Sequence, residues 1–141
     1  MSYIGLDLGT SSLGVAISDK NNILVSPLKL IKFAKENYEE AIAKLTPIIL
    51  EYKPKAIILG LPKNMDNSMG FAAKRSLDFQ KMLEKKGFKV ILEDERLTTV
   101  EAINIMKNNG RKKINQQNKT DILSAVLILE GYLKRMENER K

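Results

Sequence analysis

Tyr3-Ile4-Gly5-Leu6-Asp7-Leu8-Gly9-Thr10 is the segment that decides the fold. It reads as a short apolar strand presenting one carboxylate, Asp7, just before a turn. Side chains alternate along a strand, so Leu6 and Leu8 take the face opposite Asp7. Gly9 lets the backbone turn and leaves room for a group to approach. Leu13-Gly14-Val15-Ala16-Ile17-Ser18-Asp19 follows as a second strand, and the pair forms a β-hairpin. An Asp within an apolar strand is costly unless it is paired or holds a cation. Turn amides would also satisfy it. The flanking glycines and two later acidic positions favour the cation.

Outward from the hairpin, Asn21-Asn22 marks a turn and Ile23 to Phe33 supplies a third strand, interrupted by Pro27 as an edge strand would be. Tyr38, Ala41, Ile42, Leu45, Ile48, Ile49 and Tyr52 recur at helical spacing. Pro47 lies within that pattern and is expected to kink or split the helix. Ala56-Ile57-Ile58-Leu59 is a short, wholly apolar strand, expected to be central and parallel. Gly60 to Gly70 reads as a loop, followed by a helix to about Lys86 that Gly87 ends. Lys89 to Leu92 is the next strand, with Asp94-Glu95-Arg96 at its end. Thr98 or Thr99 can cap a helix running to about Met106. Asn108 to Lys119 is polar, basic and Gly-punctuated, and reads as a loop. The last helix is expected to begin near Thr120, and Ile122 to Leu129 is apolar nearly all round, as in a buried helix. This order describes one α/β domain, residues 1–141, in which antiparallel hairpins precede parallel crossovers.

The chain has no Cys and no His. Disulfides, thiolate chemistry, Ser-His-Asp triads and His metal sites are excluded together. Any catalysis rests on carboxylates, lysines, hydroxyls or a metal held by oxygen ligands, and such ligands suit Mg²⁺ or Mn²⁺. A net charge of +7 points to a polyanionic partner, nucleic acid before an anionic membrane. The first residues already form a strand and no signal peptide is visible, so a cytoplasmic location is expected. The stretch Ile122 to Leu129 is far too short to span a bilayer.

Three acidic places can converge in a mixed sheet whose first strand is central: Asp7, the Asp94-Glu95 pair and Asp121. Neighbours in an extended segment point opposite ways, so only one of Asp94 and Glu95 can join Asp7; Glu95 is the choice. Converging carboxylates suit two divalent ions about 3.5–4 Å apart, the arrangement used in phosphoryl transfer. Asp121 also fits as a first-turn acid favoured by the helix dipole, and Asp94-Glu95-Arg96 as a surface ion pair. Lys63, Lys74 and Arg75 flank the 60–70 loop, and Arg111, Lys112 and Lys113 form a basic run. These suit contacts to phosphates, or equally a solvated charged face. Aromatics are few and not interleaved with the basic residues along the chain, so no single-strand stacking platform is predicted.

Four motifs in order now carry a resemblance: Gly5-Leu6-Asp7-Leu8-Gly9 with Gly14-Val15-Ala16; Gly60-Leu61-Pro62-Lys63-Asn64-Met65-Asp66; Asp94-Glu95-Arg96-Leu97-Thr98-Thr99; and Asp121 with the apolar helix ending Tyr132-Leu133. They span nearly the whole chain, which resembles the YqgF/RuvX family. The resemblance implies an RNase H-like fold related to Holliday junction resolvases: a mixed five-stranded sheet, three antiparallel strands then parallel crossovers, flanked by helices. It implies a nuclease that matures the 5′ end of pre-16S ribosomal RNA or resolves DNA junctions, with Mg²⁺ or Mn²⁺ on Asp7, Glu95 and Asp121. Asn64 and Arg96 fall within the family's motifs and join the nucleic-acid contacts. The chain carries Asn67 where the family often has Gly, and Ser124 where resolvase-type sites often have a fourth acid. Whether the protein is a monomer or a homodimer is left open.

Two other readings compete. Gly5 to Ser12 also resembles the first phosphate motif of sugar kinases and other actin-like ATPases, but those enzymes need two such domains, and 141 residues supply one. A non-catalytic RNA-binding module would keep the fold without the chemistry.

Overall fold

The computed structural model describes residues 2–62, 69–94 and 116–139, with the side chains of the last segment described for 122–137. β1 (Ile4–Leu8) pairs antiparallel with β2 (Ser12–Ser18), setting Asp7 opposite Gly14 and Leu8 opposite Leu13. The Gly9 N–H donates to the Ser12 carbonyl at 2.8 Å and closes the hairpin. β3 (Val25–Lys32) pairs antiparallel with β2, with a register shift at Val15/Ala16 that leaves Leu28 as the extra residue beside Pro27. β4 (Ile57–Leu61) lies parallel on the other side of β1, and β5 (Val90–Asp94) lies parallel to β4. The sheet order is β3-β2-β1-β4-β5. The first strand is therefore central, as expected, and Pro27 sits on an edge strand, where a missing N–H spares the interior ladder.

Alternation sorts the sheet into two apolar faces. Ile4, Leu6 and Leu8 join Leu45 and Ile49 of α1 (Tyr38–Tyr52) and Phe79 and Leu83 of α2 (Phe71–Lys85) in one core. On the other face Ala16 and Ile58 meet Ala125, Ile128 and Leu129 of α3 (Gln116–Glu139). Gly5 explains how closely α3 lies. A Cβ there would stand 2.8 Å from the Leu129 Cβ and 2.9 Å from the Ala125 carbonyl oxygen, closer than real contacts allow.

Two expectations need correction. Pro47 does not split its helix: α1 runs through it as one element. Ala43, whose carbonyl loses its partner, is exposed, so water takes the missing hydrogen bond. α3 begins at Gln116, not near Thr120. Gln116, Gln117 and Lys119 are good helix formers, and polarity alone does not make a loop. The helix predicted from Thr98 to Met106 lies outside the described residues. Gly87, at φ 93°, follows the end of α2 as expected. No helix among the described residues is long and apolar enough to cross a membrane.

Candidate active site

β1, β4 and β5 are parallel, so their C-terminal ends share one edge of the sheet. Asp7 lies near that edge, half-buried, on the face of Gly5 and therefore on the α3 side. Leu6 pairs with Leu59, and Leu59 with Leu92. One residue further, the row across the sheet continues as Gly14, Asp7, Gly60 and Glu93, with Gly14 opposite Asp7 and Gly60 opposite Glu93. Glycines thus flank Asp7 in this row, and neither adjacent strand adds a side chain at that level. Glu93 stands two strands away, roughly 10 Å by strand spacing.

On β5, Ile91 packs in the α3-side core while Val90 and Leu92 pack on the opposite face. The same alternation sends Glu93 toward α3 and Asp94 away from Asp7. Asp94 therefore does not share the face of Asp7. Glu93 is 5% exposed, and its carboxylate accepts from the Arg135 guanidinium of α3, whose side chain is 58% exposed. Burial pushes the Glu93 carboxyl above its ordinary value, Arg135 opposes that rise, and neighbouring Asp94 adds to it. Sequence reading missed this pair. Its members are 42 residues apart, and only the packing of α3 on the sheet brings them together.

Asp121 lies in α3 one turn before Ala125, whose carbonyl oxygen approaches Gly5; Asp7 lies two residues beyond Gly5. Four helical residues advance about 6 Å and two strand residues about 6.8 Å. Both acids are therefore one short step from the same strand–helix contact. The Asp121 side chain, and the whole of Glu95, lie outside the described residues. So do Lys63, Asn64, Arg96, Arg111, Lys112 and Lys113. Lys74 is exposed and Arg75 half-buried in the first turns of α2. Ser124, one turn beyond Asp121, is buried. Among the described residues there is no group of three His, Cys, Asp or Glu able to hold a metal. The donors at the site edge are carboxylates, and Asp7 in its glycine-flanked row has the hard oxygen chemistry that Mg²⁺ or Mn²⁺ prefers.

Comparison with known proteins agrees with this arrangement. The RuvX family, described as Holliday junction resolvase, matches residues 1–135. A protein of Onion yellows phytoplasma named "Putative pre-16S rRNA nuclease" is 47% identical over 92% of this chain and 87% of its own length. One of the same name from Lachnospira eligens is 41% identical over the whole of both chains. Among solved structures, Thermus thermophilus RuvC in complex with a Holliday junction superposes with a TM-score of 0.59 at 16% identity, covering 96% of each chain. The fowlpox virus resolvase bound to junction DNA gives 0.58 at 17%, covering 96% of this chain and 99% of its own. A ROK family protein from Streptococcus pneumoniae gives 0.52 at 19%, but this chain matches only 37% of its length. At such identities the structural likenesses bear on fold alone, and the fold is RNase H-like. With its motifs in order, a central β1 carrying Asp7 and a family match over nearly its full length, the chain belongs to the RuvX family.

Proposed function

We propose that this protein is a divalent-metal-dependent nuclease that hydrolyses phosphodiester bonds in structured RNA, processing the 5′ end of pre-16S ribosomal RNA. The observation that carries the reading is Asp7 on the central strand, paired with Gly14 and one residue past the last β1–β4 pair, Leu6–Leu59, at the edge where β1, β4 and β5 end. The relatives' names support the substrate, and family membership supports the nuclease class.

Asp7, Glu95 and Asp121 would hold Mg²⁺ or Mn²⁺, which when bound activates water and stabilises charge on the phosphodiester oxygens. Glu95 is two residues after Glu93 in sequence, the spacing that keeps a side chain on one face while a strand continues. The chain has no histidine, so no imidazole competes for the role of base. Lys74 and Arg75, with Lys63, Asn64, Arg96, Arg111, Lys112 and Lys113, would hold backbone phosphates and give affinity without sequence readout. Ser124 leaves the cluster with three acids.

The second reading is Holliday junction resolution, favoured by the family's description. Symmetric cutting of a junction calls for a two-fold dimer. The test is cleavage of a precursor ribosomal RNA fragment and of a four-way DNA junction side by side, with the mass in solution measured by light scattering. Cutting of the RNA alone fits the first reading. Symmetric cutting of the junction by a dimer would replace it with the second. Binding without cutting of either would leave the RNA-binding module.

A further inference from the structure

All four phenylalanines of the chain fall in described segments, and one is in water. Phe33 and Phe79 are buried and Phe88 is half-buried, whereas Phe71 is 89% exposed. Met69, two residues before it, is 52% exposed. A ring in that position forgoes the burial that normally draws phenylalanine into cores.

Phe71 opens α2, and Lys74 and Arg75 follow at three and four residues. That spacing puts all three on one helical face, away from the buried Ala73, Ser76, Phe79 and Leu83. Along the chain no aromatic alternates with basic residues; the helix is what gathers them. α2 is the crossover between the parallel strands β4 and β5, so it runs back antiparallel to them, and its first turn lies at the same end of the sheet as Asp7, while its body packs on the opposite face.

We propose that Phe71 is a stacking platform for one unpaired nucleotide base near the cleavage site, with Lys74 and Arg75 holding the phosphates beside it. The inference rests on the nucleic-acid reading above and deepens it. It assigns a preference for single-stranded RNA next to the cut. Base–aromatic stacking tolerates any base, because every base has a π-face, but it needs that base unpaired. Lys74 offers a point charge and Arg75 a planar fork of donors, both suited to phosphate. A protein partner would ask for a contiguous apolar patch, whereas this ring is bordered on its own face by cations.

The chain contains no tryptophan, so Phe71→Trp introduces a single indole fluorophore at the site. The experiment uses the full chain carrying Asp7→Asn, so that RNA is bound and not cut. It titrates a single-stranded oligoribonucleotide, a blunt RNA duplex of equal charge, and anionic phosphatidylserine vesicles. The expected result is strong quenching of the indole emission by the single strand and little by the duplex. Phe71→Ala should weaken single-strand binding about 10-fold and leave duplex binding unchanged. Lys74→Gln should reduce the salt dependence of binding to both RNAs by about one phosphate contact. A single strand that binds equally well after Phe71→Ala, and leaves the indole of Phe71→Trp unquenched, overturns the proposal while leaving the nuclease reading intact. Quenching by vesicles and not by RNA overturns it in favour of a membrane contact. If the parent binds neither RNA, the nucleic-acid reading falls and the stacking site with it. Phe71 buries almost nothing, so the variants are expected to melt like the parent in circular dichroism.

Discussion

At Gly5 a hydrogen in place of a side chain lets α3 rest on the central strand, and the acids on either side of that contact depend on it. In Gly5→Ala the new methyl would meet the Ala125 carbonyl oxygen at 2.9 Å, and a backbone atom in a packed helix cannot swing aside. The substitution is expected to cost about 1–3 kcal/mol, as overpacking does, and to lower activity by displacing α3. Urea unfolding checks the first and RNA cleavage the second; unchanged values for both would mean α3 does not lie as described. Glu93 and Arg135 form the other sensitive contact. Burial raises the Glu93 carboxyl above its ordinary value of 4.5. A raised acid stabilises the fold below that value and loses the contribution as pH rises through the higher folded one. Removing Arg135 removes the opposing influence, so the loss on raising the pH should steepen. Arg135→Ala is predicted to cost about 1–2 kcal/mol at pH 7, less than a fully buried pair because the guanidinium is 58% exposed. The deficit should shrink toward pH 5, and Glu93→Gln in the same chain should remove its pH dependence. Asp7 was legible as a candidate site residue because a carboxylate stands out in an apolar strand. Glu93 was not, since nothing within its own segment names a partner 42 residues away.

Among the elements, α1 shows how a local signal can be read correctly and its breaker misjudged. Asn37 caps the helix by accepting from the Glu40 N–H at 3.2 Å. The Glu40 carboxylate accepts from the Ala34 N–H at 2.9 Å and pairs with Lys44 at 2.9 Å. The Ala34 bond, then Lys44, hold the Glu40 carboxyl below its ordinary 4.5. A lowered acid stabilises the fold above its unfolded value, and the contribution fades as pH falls through the lower folded one. Glu40→Gln should therefore melt below wild type at pH 7, with the two curves converging as the pH falls below about 4. A constant difference would assign the effect to packing. Pro47 was expected to kink or split this helix and does not split it, because the exposed face of an amphipathic helix lets water take up the freed carbonyl of Ala43. The first turn of α3 was missed for the converse reason. Its polar residues carry no periodicity, and the sheet-packed apolar turns after it nucleate a helix that extends back through residues which favour it.

Across the whole molecule the strand order follows from patterns that survive at the level of single segments. The tight Gly9 turn made β1 and β2 a hairpin, Pro27 pointed to an edge, the short apolar β4 pointed to a parallel neighbour, and the alternation of helix and strand pointed to parallel crossovers. The close seat of α3 and the row Gly14-Asp7-Gly60-Glu93 were not legible, because register between distant strands depends on the packing of both faces at once. That row sets Asp7 apart from the rest of the core, and it is where the account is most exposed to test. The decisive measurement is cleavage of a pre-16S ribosomal RNA fragment by wild type and Asp7→Asn, in Mg²⁺, in Mn²⁺ and in EDTA, with RNA binding measured in parallel. Wild type is expected to cleave in at least one metal and not in EDTA. Asp7→Asn is expected to cleave at a rate at least about 100-fold lower with binding retained, the scale expected when several kcal/mol of transition-state stabilisation are lost. Cleavage by Asp7→Asn at the wild-type rate, or wild-type cleavage that persists in EDTA, would contradict the metal-dependent reading.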